Sequence, residues 1–180
     1  MGAGGYTLVA APAQGEALQI APITVVGVSP QLAGGERYAG GQVTMQTSQG
    51  MLGSRDFMET PFSATTYTSE TAQNQNARTL LDLVANDPSV RSTNPAGGRF
   101  EQFTIRGFSL FNTDVAFNGL YGVLPTYSID MEMADRVDVI KGPSQLINGI
   151  SPRGAVGGGI NLVSKRAADT PLTEFTGSYA

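Results

Sequence analysis

Four carboxylates, Asp130, Glu132, Asp135 and Asp138, lie close together, and the glycine-rich stretch Gly154-Ala-Val-Gly-Gly-Gly159 follows them. These are the two places where residue type and spacing suggest chemistry. The acidic group could touch a cation, but it lacks the glycine-containing loop pattern of a Ca²⁺ site. Carboxylates beside a helical turn are also favoured by its dipole alone. The glycine run invites a dinucleotide-loop reading, which needs a strand before it and a helix after it. Here it precedes the apolar run Ile160-Asn-Leu-Val163, so it reads as a turn that only glycine tolerates. The chain contains no His and no Cys. That removes the commonest general base and metal ligand and any disulfide or thiolate site. No catalytic set, metal site or cofactor site is assigned, and the chain is expected not to be an enzyme.

Three cations are more telling. Arg106, Arg136 and Lys141 each sit at or beside a strand end rich in apolar residues, where a charge wants an opposing partner. No local pattern supplies one. Either they are solvated strand-end charges, or carboxylates of another domain receive them.

The elements that carry these residues are short. Val137 and Val139 alternate with Asp138 and Ile140, the spacing of a half-buried strand. Gly142-Pro143 ends that strand and Pro143 suits the start of a short helix. A second strand runs over Ile160–Val163. Phe62–Thr68, Val90–Ser92 and Gln102–Arg106 read as further strands, and Asn94–Gly98 as a turn cluster. The helix Ala77–Ala85 places Leu80, Leu81, Leu83 and Val84 along one side, and Pro88 ends it. Ser69-Glu70 and Met131–Asp135 predict single helical turns. Asp114–Asn118 alternates into Asn118-Gly119, a tight-turn dipeptide, with Leu120–Leu124 as the expected return arm. The sum is an α+β fold, a mixed sheet of about four to six short strands with a few short helices.

Upstream, Ile23-Thr-Val-Val-Gly27 places consecutive β-branched residues in a Pro/Gly-rich tract. It is either a stray strand or a peptide that adds to a partner's sheet edge. Residues 28–54 carry many glycines and few large apolar residues, so poor order or an extended path is expected. The chain has 180 residues, 14% of them charged, well below the usual share of about a quarter. With a net charge of −4 and no basic cluster beyond Lys165-Arg166, sequence-independent nucleic-acid binding is excluded. No apolar run approaches the roughly 20 residues of a spanning helix. The start of the chain lacks a secretory signal's basic and apolar regions, so an exported parent would carry its signal upstream.

Several motifs in order resemble the plug domain of TonB-dependent outer-membrane receptors, the ferric-siderophore branch in particular. They are Asp87-Pro-Ser-Val90 after a Leu-rich helix, Phe103-Thr-Ile-Arg-Gly-Phe108, and Phe117-Asn-Gly-Leu-Tyr-Gly122. The strongest is Arg136-Val-Asp-Val-Ile-Lys-Gly-Pro-Ser144 followed by Gly158-Gly-Ile-Asn-Leu-Val-Ser-Lys-Arg166. The resemblance implies residues 1–20 as the tail of a periplasmic signalling domain, with Tyr6–Ala10 as its last strand. It implies 21–54 as TonB box and flexible linker, 55–168 as the plug, and 169–180 as the start of the first barrel strand. The box would be Ile23, Thr24, Val25, Val26 and Gly27, which bind TonB. A transmembrane barrel of about 22 strands would enclose the plug, which accounts for the low surface charge. Arg106, Arg136 and Lys141 would lock the plug to carboxylates of that barrel's wall. Arg99, Phe111, Tyr121 and Tyr127, on apical loops, would contact a ferric siderophore, the transported ligand. The parent would sit in the outer membrane with its N-terminal segment periplasmic, and a signal-transducing member would also meet an anti-sigma regulator. The rival reading is a free-standing periplasmic binding or signalling module that keeps the plug fold.

Overall fold

The computed structural model describes residues 37–95 and 98–167, with positions 171, 173, 175 and 177. The strand Tyr6–Ala10 and the segment Ile23–Gly27 lie outside the described residues, as does most of 169–180. Two small hairpins come first. Strand β1 (Arg37–Tyr38) pairs with β2 (Val43–Thr44), and β3 (Gln46–Ser48) pairs with β4 (Ser54–Asp56). Strand β5 (Ser63–Thr68) runs directly into α1 (Ser69–Asn74), because Thr68 ends the strand and accepts the Thr71 N–H as a helix cap.

Helix α2 (Leu80–Val84) opens on a capping box between Thr79 and Asp82, an arrangement worth about 1 kcal/mol. So short a helix is not stable by itself. Burial of Leu80, Leu81, Leu83 and Val84 holds it. It starts later than Ala77 because Thr79 is extended and bridges Asp130, with Leu80 N–H donating to Ile129 O and Met131 N–H to Arg78 O.

Strands β6 (Val90–Ser92), β7 (Gln102–Ile105) and β8 (Phe108–Phe111) form an antiparallel three-stranded sheet. Arg106 and Gly107, with φ of 51° and 87°, make the two-residue turn between β7 and β8. Strand β9 (Ala116–Phe117) then precedes β10 (Ala134–Lys141), α3 (Gln145–Asn148) and β11 (Gly158–Ser164). The main sheet has the order β5-β10-β11-β9, antiparallel except for the parallel pair β11–β9. The α+β class and the mixed four-stranded sheet agree with expectation.

The apolar core lies between the two larger sheets. Val137, Val139, Ile160 and Leu162 from the main sheet meet Val90, Phe103, Ile105 and Leu110 from the other, with α2 alongside. Strand β10 differs from its half-buried reading. Arg136 and Asp138, on the face away from the core, are only 3% and 0% exposed. Residues 46–49 cover them, and Ser48 N–H donates to Asp138 at 3.3 Å.

Residues 37–54 therefore depart from the flexible path expected of 28–54. Thr44, Thr47, Ser48 and Gln49 are buried, and Thr68 and Thr71 hydroxyls donate to the carbonyls of Gly41 and Gln42 at 2.7 Å each. Arg37 reaches Glu70 at 2.6 Å and also binds Asp135. Small polar side chains and backbone groups make this docking, so hydropathy does not reveal it. A second departure concerns Asn118-Gly119. The tight turn forms, with Phe117 and Leu120 exchanging backbone hydrogen bonds, but Leu120–Leu124 is not a return strand. Instead β9 joins β11, and the Asn118 side chain accepts Ser164 N–H at 3.0 Å.

Candidate functional site

The three-stranded sheet places the candidate residues at two ends. Pairing of Ile105 with Phe108 closes one end, at the Arg106-Gly107 turn, and Gln102 with Phe111 closes the other. At that second end the Arg99 guanidinium donates to the Tyr127 hydroxyl at 3.1 Å and lies 4.7 Å from its ring centroid. Phe100 packs against Tyr127 with centroids 5.5 Å apart. Phe100 and Tyr127 stay 49% and 46% exposed even so, which leaves part of each side chain within reach of a ligand. Phe111 carries the Arg153 guanidinium 4.1 Å above its ring. Arg153 is exposed, and a cation–aromatic contact at such a site contributes on the order of 0.5–1 kcal/mol.

Arg99 and Tyr127 thus share one cluster, and Phe111 adjoins it. Tyr121 stands apart. It lies beside Gly149, in a groove of about 360 Å³ with Met51, Leu120 and Leu146. Burial, and then the nearby Asp114, raise its phenol above the ordinary range.

Buried polar side chains hold the loops of this end. Asn112 donates to the carbonyls of Thr126 and Tyr127. Asp114 accepts Phe111 N–H at 3.2 Å and Arg153 N–H at 2.8 Å, so one carboxylate ties two distant segments. Glu101, 5% exposed, accepts Ile129 N–H at 3.3 Å and meets Thr79 at the start of α2. Burial pushes its carboxyl up, against those hydrogen bonds. Neither Arg153 nor Glu101 stands out in the sequence, because their partners are separated along the chain. Asp87-Pro-Ser89 did carry a readable signal, an aspartate that caps its own turn through Ser89 N–H at 2.9 Å.

The expectation that the three cations lack partners within the chain fails for two of them. Lys141 sits 3.0 Å from the buried carboxylate of Asp87 and donates to Thr65 at 3.0 Å. Arg136 is buried 3.5 Å from Asp138. Burial drives the Asp138 carboxyl upward, opposed by Arg136 and Thr66. Asp87 is also penalised by burial, but hydrogen bonds from Ser89 and Lys141 outweigh this and hold it below the usual carboxylate range. Burial, with Asp87 beside it, raises Tyr67. Arg106 alone of the three is exposed. Its guanidinium lies beside Gly142, and it forms no ion pair among the described residues.

The model of the TonB-dependent receptor plug domain matches residues 56–158. The chain belongs to this family. The ferrichrome receptor FcuA of Yersinia enterocolitica is 44% identical over 163 residues, 87% of this chain and 22% of that protein. The ferric-pyoverdine M114 receptor PbuA of a Pseudomonas strain is 29% identical, covering 96% of this chain and 21% of that protein. The solved structure of BauA, the ferric preacinetobactin receptor of Acinetobacter baumannii, superposes with a TM-score of 0.71 at 43% identity, over 76% of this chain and 20% of that one. The chain spans about a fifth of the length of these relatives.

Within the plug domain, the glycine run serves close packing. A Cβ on Gly157 would lie 2.3 Å from Ile105 O and 2.7 Å from the Phe108 side chain. Any side chain there would push β11 off the β7–β8 turn. The acidic group is dispersed. Asp135 binds Arg37, Asp138 is buried with Arg136, and Asp130 lies exposed at the Thr79 bridge.

Proposed function

We propose that this plug closes the barrel of an outer-membrane receptor for a ferric siderophore and supplies part of the ligand pocket. The observation that carries this reading is the pair of opposed ends on the three-stranded sheet. One end gathers Arg99, Phe100, Phe111 and Tyr127, with guanidinium groups stacked over the Tyr127 and Phe111 rings. The other presents Arg106 on a tight turn. A ferric chelate with anionic, conjugated donor groups suits the first end, since guanidinium and aromatic faces bind such groups in a partly desolvated pocket. The named ligands of the relatives, ferrichrome, ferric pyoverdine and ferric preacinetobactin, support a ferric siderophore as the ligand.

In this reading Ile23–Gly27 pairs as an added strand with TonB in the periplasm, and TonB-driven remodelling of the plug opens the path. A signal-transducing parent would engage an anti-sigma regulator as well. No covalent step and no resident cofactor are required. Arg106 is the side chain that locks the plug to barrel-wall carboxylates, while Arg136 and Lys141 direct their charge inward and stiffen the strand that ends beside it.

The test compares the full-length receptor in outer-membrane vesicles with this chain alone, by titration with ferric siderophores. The receptor should bind one of them at least about a hundredfold more tightly, because most contact area is missing from the chain. Equal affinities would defeat the reading. Replacing Arg106 by Glu in the full receptor should sensitise cells to large antibiotics that a closed barrel excludes. Unchanged sensitivity would remove Arg106 from the lock.

A further inference from the structure

We infer that Arg153 is a ligand contact, forming with Arg99 a pair of aromatic-backed cations that selects anionic over neutral ferric chelates. The inference rests on the receptor reading above and names the charge class that the same site takes. Arg153 belongs to the loop between α3 and β11, far in sequence from the other ligand candidates. Three features of the fold bring it to them.

First, its guanidinium lies 4.1 Å over the Phe111 ring, and Phe111 closes the β7–β8 pairing opposite Gln102. That places Arg153 at the same end of the sheet as Arg99 and Phe100. Second, the placement is built. Asp114 is 1% exposed, and its two oxygens take the backbone N–H of Arg153 and of Phe111. A buried carboxylate that spends both oxygens on two backbone segments fixes their separation, and so fixes the stacked pair. Third, the next residue, Asn112, is also 1% exposed and holds the carbonyls of Thr126 and Tyr127. The turn Phe111–Asp114 therefore ties the Arg153 loop to the Tyr127 loop, on which Arg99 rests.

The electrostatics set the specificity. Arg99 and Arg153 are both exposed, and neither has a carboxylate partner among the described residues. Each guanidinium lies over an aromatic ring, which limits its motion, and the only side-chain hydrogen bond of either among the described residues is the one from Arg99 to the Tyr127 hydroxyl. Cations held ready in this way favour a ligand that brings negative charge. Iron(III) held by three catecholate dianions is such an anion. Iron(III) held by three hydroxamate monoanions is neutral and gains much less from them.

The experiment uses the full-length receptor in outer-membrane vesicles, titrated with a ferric tris-catecholate and with a neutral ferric tris-hydroxamate. Arg153→Gln should weaken the catecholate complex about tenfold, the value of one charge-assisted contact, and change the hydroxamate complex less than about twofold. Arg153→Lys should recover part of the loss. Arg55→Gln, which removes an exposed cation on the β3–β4 hairpin, should change neither. Equal losses for both chelates, or none for the catecholate, would overturn the role of Arg153 while leaving the receptor reading intact. A wild-type receptor that bound neither chelate would overturn both.

Discussion

Replacing Lys141 by Met should destabilise the chain by about 3–5 kcal/mol, the cost of stripping one partner from a buried ion pair. The ammonium lies 3.0 Å from Asp87, which is 0% exposed, whereas the neighbouring Arg91 guanidinium is spent on the backbone carbonyls of Asp87 and Val90. Burial disfavours the Asp87 carboxylate, and only the bonds from Ser89 and Lys141 bring its proton affinity below normal. The pH dependence follows from that sign. In the native chain a depressed carboxyl contributes stability that is present above the unfolded pKa of about 3.9 and is lost as pH falls through the folded value. Without Lys141, burial is opposed by the Ser89 hydrogen bonds alone, and the folded value moves up toward the unfolded one. The variant should then lose less stability than the native chain as pH falls below about 4. Urea unfolding at several pH values measures both effects. Replacing Asp87 by Leu in the Lys141→Met background should recover much of the loss, because an apolar pair leaves no buried charge. A loss independent of pH, or unrelieved in the double variant, would mean that packing rather than charge is at stake.

This ion pair also marks the boundary of what the sequence makes legible. Periodicity located α2, β7, β10 and β11, because each carries apolar residues at a regular spacing that burial requires, while threonine-rich composition located β5. Turn chemistry located Asn118-Gly119. What escaped were arrangements between positions far apart in the chain. Asp87 and Lys141 are joined only when α2 and β10 pack, so local reading left Lys141 unpaired. The docking of residues 37–54 relies on threonine hydroxyls and backbone carbonyls, groups that resemble those of any linker. The β7–β8 hairpin was hidden because Arg106, a non-glycine residue, occupies a positive-φ turn position with φ 51°. Among the site residues, the aromatic and cationic types at Arg99, Phe111 and Tyr127 were readable, whereas their grouping depends on Asn112 and Asp114. Tyr121 shares their residue type but stands in a separate groove, since the fold, not composition, decides which aromatics meet.

A proline scan across Ile23–Val26 should abolish TonB pairing at alternate positions. An added strand binds mainly through its backbone, and successive N–H groups point to opposite edges. If Ile23 and Val25 face TonB, proline at either removes a donor that the partner's edge needs, and the ring obstructs the approach of that edge. Proline at Thr24 or Val26 would remove an N–H that faces water and should cost less. Each lost hydrogen bond contributes about 0.5–1.5 kcal/mol net, and steric exclusion adds to this. Affinity at the facing positions should therefore fall by at least about tenfold. A proline restricts the residue before it to extended backbone, the conformation an added strand needs, so a proline that does not face the partner should bring little conformational penalty. The measurement is calorimetric titration of peptides covering residues 20–30 against the periplasmic domain of TonB. Full-length receptors bearing the same substitutions should lose siderophore uptake in the same alternating order while retaining siderophore binding. That split separates coupling from recognition, because the ligand end proposed for the plug draws on residues 99–153 and does not include the proposed box. A uniform loss across all four positions would point to general disruption of the segment. Undiminished affinity throughout would show that TonB engages some other stretch of the chain.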